Sequence, residues 1–348
     1  MGEKKKNQPR QVIKYPTEKD IGFLLCTYEY RVLTLLQVRR FVELTECYSQ
    51  RKKKLLIDSG YLQGYSISGG YQPPNGQVAQ GKAYGITGKG ITLLRKHGYE
   101  LSLNADALRI PGNQLPYLLT SYDVAFSLCD VGWQFEQSRH FKARLNLNRQ
   151  GVVKGLLTSP AGAKWVFFVT LAHVNKSTLA KFKQEMESGS GNYLDKVIFT
   201  MDMPALQSVV KYFKGEESIL RHLDSCKVIP QFMIDSYVRY ISTDEEFFSF
   251  LKGIGYPVVK TDTPHQFERW VTEDGFIAVN LLDTDLVKVY EILTYSGYKL
   301  EQIKGFKVFT TPELVDVHHQ LLGYLKHVHF QLMEAEIIEE HLGTKQTN

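Results

Sequence analysis

The chain has 348 residues, 43% of them hydrophobic, with 42 Lys and Arg against 37 Asp and Glu and a formal charge of +5. That length suits two or three domains with a sizeable core. No run of about 18 apolar residues offers a membrane span, and the polar start Met1-Gly2-Glu3-Lys4-Lys5-Lys6 is not a secretion signal.

Residues 1–17 lack apolar periodicity and are expected to be a disordered basic arm. Thr17-Glu18-Lys19-Asp20 then reads as a cap and first turn, followed by Ile21, Leu24, Leu25 and Tyr28 at helical spacing. A second helix is expected over Leu33 to Phe41. Thr45 or Ser49 can cap a third, which Gly60 would stop from the C′ position. That third helix carries four consecutive cations, Arg51 to Lys54. Tyr61-Leu62 with Tyr65-Ser66-Ile67 reads as one strand and Tyr84 to Thr87 as its partner. The Gly, Pro, Asn and Gln-rich stretch Ser68 to Gly81 is a flexible tip between them. This is the layout of a recognition helix followed by a two-stranded wing, a winged helix-turn-helix over residues 18–99.

Residues 100–116, with Pro111, Gly112, Asn113 and Pro116, read as a linker. An α/β domain with a C-terminal helix follows over 117–348. Leu118 to Val131 has helical spacing. Lys164 to Leu171 and Lys196 to Thr200 are apolar enough to be buried strands. The helix Ser177 to Met186 between them predicts a right-handed crossover joining adjacent strands. Pro204 to Phe213 and Asp244 to Leu251 read as helices. Gln266 to Trp270 and Phe276 to Leu281 read as a hairpin, and Leu314 to Leu342 as one long helix. No internal repeat is legible. The fold class expected is α/β with an N-terminal winged helix and a sheet covered by helices.

Charge is unevenly placed. Residues 1–110 hold 18 Lys and Arg against 9 acids, and the remainder 24 against 28. A basic first third on a mildly acidic body points to duplex DNA as partner. Tyr48, Ser49, Gln50 and Lys53 are candidate base or groove contacts. Arg51, Lys52, Lys54 and the wing residue Lys82 are candidate phosphate contacts.

Arg51 to Leu56, Tyr61-Leu62, Tyr84 to Leu94 and the helix opening Ser121-Tyr122-Asp123 resemble the replication-relaxation family of plasmid proteins over roughly residues 20–215. The resemblance implies a DNA-binding winged helix and a restriction-endonuclease-like sheet with acids on two successive strands. Such acids would hold Mg²⁺. The corresponding stretches here, Val153-Lys154-Gly155 and Phe167 to Thr170, carry none.

The expected function is therefore DNA binding in plasmid or phage replication or DNA processing, with no catalytic residue, metal or cofactor assigned. Replication or transfer proteins are further candidate partners, and a homodimer is compatible with the pattern. The alternatives are a metal-dependent nicking enzyme and a protein-interaction module. For nicking, His327-Val328-His329 has the His-hydrophobic-His spelling, but a helix would point its two histidines apart. Asp244-Glu245-Glu246 and Asp283-Thr284-Asp285 read as helix-start carboxylates. Cys26, Cys47, Cys129 and Cys226 lack metal spacing and read as reduced thiols of a cytoplasmic protein.

Overall fold

The computed structural model describes residues 12–67, 70–71, 82–148, 151–187, 194–262, 269–295 and 303–343. The expected basic arm up to residue 11, nearly all of the expected flexible tip and the start of the hairpin at Gln266 fall outside them. The chain divides into two units, Met1–Asp123 and Val124–Asn348.

In the first unit a capping box starts α1 (Glu18–Glu29): the Thr17 N–H and hydroxyl both donate to Asp20 Oδ2, at 2.8 and 2.7 Å. Arg31 adopts φ +69° and turns the chain into β1 (Val32–Thr34). Only then does α2 (Leu35–Arg39) begin, capped by Thr34 and Gln37. The expected helix from Leu33 is thus corrected at its start. Two β-branched residues, Val32 and Thr34, take the extended form because a partner strand awaits them.

α3 (Glu46–Asp58) follows, and Gly60 (φ +75°) ends it as the C′ residue, with Tyr61 N–H bonded to Leu56 O at 2.9 Å. β2 (Leu62–Ser66) and β3 (Lys82–Ile86) complete an antiparallel sheet in the order β1-β3-β2, and α4 (Gly88–Lys96) closes the motif. Gly85 on the central strand is obligatory: a Cβ there would lie 2.9 Å from Arg31 O.

Residues 100–116 are not a free linker. Leu103 N–H donates to Tyr28 Oη (2.8 Å), and the Arg31 guanidinium donates to Arg109 O (2.7 Å). After α5 (Ala105–Leu108), Ile110 and Leu115 join Val32, Tyr71, Ala83 and Leu119 in one core. The Pro and Gly content marked turns, while the apolar residues among them supply the packing. Pro116 stands in the first turn of α6 (Leu115–Cys129), where its missing N–H costs no helical bond. The division between the units falls within this helix.

The second unit is α/β. Its first sheet comprises β4 (Gln134–Gln137), β5 (Gly155–Thr158), β6 (Lys164–Val169), β7 (Asp195–Thr200) and β8 (Cys226–Pro230), in chain order across the sheet. The helices are α7 (Ser138–Arg144), α8 (Lys176–Glu187), α9 (Met203–Lys214) and α10 (Glu217–Leu220). β6 and β7 are adjacent, parallel and interior, joined through α8 as their apolar runs require. Leu179, Phe182 and Met186 of α8 are buried, and the Phe182 ring meets Phe168 at 4.9 Å.

After α11 (Asp244–Gly253) the pattern returns in a second sheet: β9 (Val258–Lys260), β10 (Trp270–Thr272), β11 (Ile277–Asn280), β12 (Phe306–Thr310) and β13 (Val328–Leu332). Its helices are α12 (Leu286–Thr294), α13 (Val315–Leu322) and α14 (Ala335–Gly343). Successive neighbours pair antiparallel, antiparallel, parallel, parallel in both sheets. A topological repeat is therefore present where the sequence reads as non-repetitive. Sheets are specified by burial patterns, which Trp165-Val166-Phe167-Phe168 and Ile277-Ala278-Val279-Asn280 satisfy with different residues.

The expected long helix Leu314 to Leu342 is corrected to helix, strand, helix. Val328 to Leu332 pairs in parallel with β12, and this sheet partner overrides the helical spacing.

Candidate nucleic-acid interface

Helical geometry sorts the eight sequence-nominated residues. Ser49, Lys52 and Leu56, three and four residues apart, form the buried face of α3. Ser49 Oγ donates to Glu46 O at 2.7 Å. Lys52 Nζ lies 2.8 Å from Asp20 and 3.0 Å from Thr17 Oγ1, joining α3 to the capped start of α1. Ser49 and Lys52 are therefore corrected from candidate DNA contacts to structural residues. The cation run looked uniform in sequence, but one of its members shares the face of Leu56.

The opposite face presents Cys47, Gln50, Arg51 and Lys54, all exposed. Tyr48 stands beside it, 38% exposed, with the Lys19 and Lys52 ammoniums 5.9 and 5.5 Å from its ring. Lys53 is half-buried. Its Nζ donates to Gln50 Oε1 and lies 5.5 Å from the Tyr84 ring of β3. Burial, and secondarily the positive charge of Lys82, hold the Lys53 ammonium below its usual value. Exposed Lys82 at the start of β3 thus acts electrostatically on α3. Two cations from different elements converge here, an arrangement that an anion would relieve.

Sequence reading did not find the charged cluster in the second unit. Lys227 on β8 pairs with Asp283 (3.1 Å) and Asp195 (3.5 Å), and Lys288 on α12 with Asp244 (2.7 Å). Asn280 Nδ2 also donates to Asp244, at 3.2 Å. These groups surround a cavity of about 190 Å³ that Trp270 and Phe248 also line. The carboxylates around Lys227 hold its ammonium well above the usual range against burial, which opposes charge. Asp285 does cap α12, accepting from Val287 N–H at 3.0 Å. Asp244 and Asp283 go beyond the capping role expected of them, because each holds a lysine.

The histidines have clear packing contacts. His327 and His329 flank the start of a strand rather than lying on a helix, so the expected opposed directions do not apply. Their rings meet Phe306 (5.6 Å) and Phe276 (5.0 Å) respectively. His318 is buried, with its ring nitrogens 3.1 Å from Thr284 Oγ1 and 2.6 Å from Thr310 Oγ1. In the first sheet, Gly155 pairs with Phe167, bringing together the two stretches where the family resemblance would put metal-binding acids. Among the described residues no group of three or more His, Cys, Asp or Glu is arranged to hold a metal ion. No described helix is long and apolar enough to cross a membrane.

Comparison with protein-family models, with curated proteins and with solved structures finds no match.

Proposed function

We propose that residues 18–99 are a winged helix-turn-helix and that the protein binds duplex DNA through it. α3 lies in the major groove, and the β2–β3 hairpin acts as the wing along the backbone. The observation that carries this reading is the two-sided character of α3. One face is pinned inward by Ser49, Lys52 and Leu56, and the other offers Gln50, Arg51 and Lys54 to solvent. The order helix, strand, helix, helix, strand, strand with a three-stranded antiparallel sheet supports it. So does the convergence of Lys53 and Lys82, which suits a phosphate.

Within this proposal the protein acts in the cytoplasm, in replication or processing of plasmid or phage DNA, as its resemblance to the replication-relaxation family implies. The second unit serves as a scaffold for partners rather than cutting strands, since the paired start of β5 and end of β6 bring no carboxylate together.

Lysine footprinting tests the proposal. A mixed-sequence duplex should protect Lys53, Lys54 and Lys82 from an acylating reagent while leaving Lys96, at the end of α4, as reactive as in the free protein. Equal labelling of all four with and without duplex would overturn it.

A further inference from the structure

Resting on that DNA-binding reading, we infer that α3 is built to read guanines. The exposed row Cys47, Gln50, Arg51 and Lys54 spans seven residues. At about 1.5 Å per residue this is about 10 Å, the height of roughly three base pairs. Its polar heads are fixed in kind. Arg51 and Lys54 can only donate hydrogen bonds. Gln50 would ordinarily offer both a donor and an acceptor, the pair that suits adenine N7 and N6. Here its Oε1 is occupied by Lys53 Nζ. Turning the amide over would set its NH₂ against the ammonium. Gln50 therefore presents its Nε2 donors outward, and the whole row becomes donor-only.

Only guanine meets such a row with two neighbouring acceptors, O6 and N7, and no donor in the major groove. Adenine and cytosine each present an amino donor, and thymine one acceptor beside a methyl group. The matching site is a step of two or three successive guanines on one strand. Lys53 sets specificity without touching a base. It is a positioning residue that decides which end of the Gln50 amide faces the groove.

The test is selection of bound sequences from a random duplex pool by the full chain, followed by affinity measurements on the enriched duplex. The expected motif contains two or three consecutive guanines. Replacing them with 7-deazaguanine, which lacks the N7 acceptor, should weaken binding roughly tenfold or more. Arg51→Ala should relax the preference at one guanine. Lys53→Met, checked for folding by circular dichroism, frees the amide and should change one position from guanine to adenine. Unchanged preference in Lys53→Met would overturn the part assigned to Gln50. Bound duplexes without guanine enrichment would overturn the inference while DNA binding stands. Retention of no duplex even at low salt would overturn both.

Discussion

Replacing Lys52 by alanine separates its structural part from the DNA-binding part suggested by its place in a cation run. In the folded chain its ammonium stands 2.8 Å from the Asp20 carboxylate, with the two side chains 9% and 1% exposed. At that distance and an effective dielectric constant of about 20, the attraction is about 6 kcal/mol before desolvation is counted. Desolvation offsets much of this in the intact pair, but removing one partner leaves the other charge buried. The Thr17 N–H and hydroxyl still donate to Asp20, so the loss should fall near the usual ~3–5 kcal/mol for a broken buried pair. Hydrogen exchange over α1 and α3 reads it as a drop in protection of that size. The double variant Asp20→Asn with Lys52→Met, which removes both charges and keeps the Lys52 stem, should recover most of it. Full protection in Lys52→Ala would refute the reasoning. So would a double variant that keeps its stability but loses about one unit of salt slope in DNA binding, the mark of a lost phosphate contact.

Further outcomes follow from buried titratable groups. Burial pushes the Asp123 carboxyl up to about 6, against the pull of Gln37, Tyr71 and Arg40. The folded chain therefore holds this proton more tightly than the unfolded one. The associated stability of about 3 kcal/mol is fully present below pH ~4 and lost as pH rises through 6. Asp123→Asn should remove that slope from hydrogen exchange over α2 and α6, and an unchanged slope would count against it. His318 behaves oppositely: burial, with a smaller contribution from His319, lowers it to about 3. Its stabilising effect is present above pH ~6.5 and is lost as pH falls toward 3, at about 1.4 kcal/mol per pH unit. Urea titrations of the second unit, followed by tryptophan fluorescence between pH 4 and 7, should show this dependence in the parent and a flatter one in His318→Gln. Trp133, Trp165 and Trp270 all lie in that unit. Lys227→Ala should destabilise the same unit by about 3–5 kcal/mol, because Asp283 keeps a buried charge. A smaller cost in Lys227→Ala than in the Lys227→Met, Asp283→Leu double variant would contradict the ion-pair account.

What the sequence could disclose depended on whether the deciding interaction was local. The crossover from β6 through α8 to β7 was legible because continuous apolar strands and an amphipathic helix state their burial in their own residues. The stop of α3 at Gly60 was legible for the same reason. Strand β1 was hidden: three residues between helices carry no period, and their state is set by pairing with Ala83 to Gly85, some fifty residues away. The segment Val328 to Leu332 was misread because helical spacing upstream ran on past the turn at Leu325 to His327. At the candidate interface the direction of Lys52 was available from its three- and four-residue spacing to Ser49 and Leu56, and was masked by treating Arg51 to Lys54 as one charged block. The pairing of Lys53 with Gln50 depends on side-chain geometry that composition does not fix. The Lys227 and Lys288 pairs depend on partners far away in the chain.

The most direct test of DNA binding by α3 and the wing is the affinity of the full chain for a duplex measured across salt concentrations. The parent is compared with a variant carrying Arg51→Ala, Lys54→Ala and Lys82→Ala. The parent should bind with a steep negative slope of log K against log salt. The variant should bind at least tenfold more weakly at low salt, with a slope shallower by about 0.9 for each phosphate contact removed, up to about 2.7. Equal affinity and equal slope in the two proteins would contradict the account.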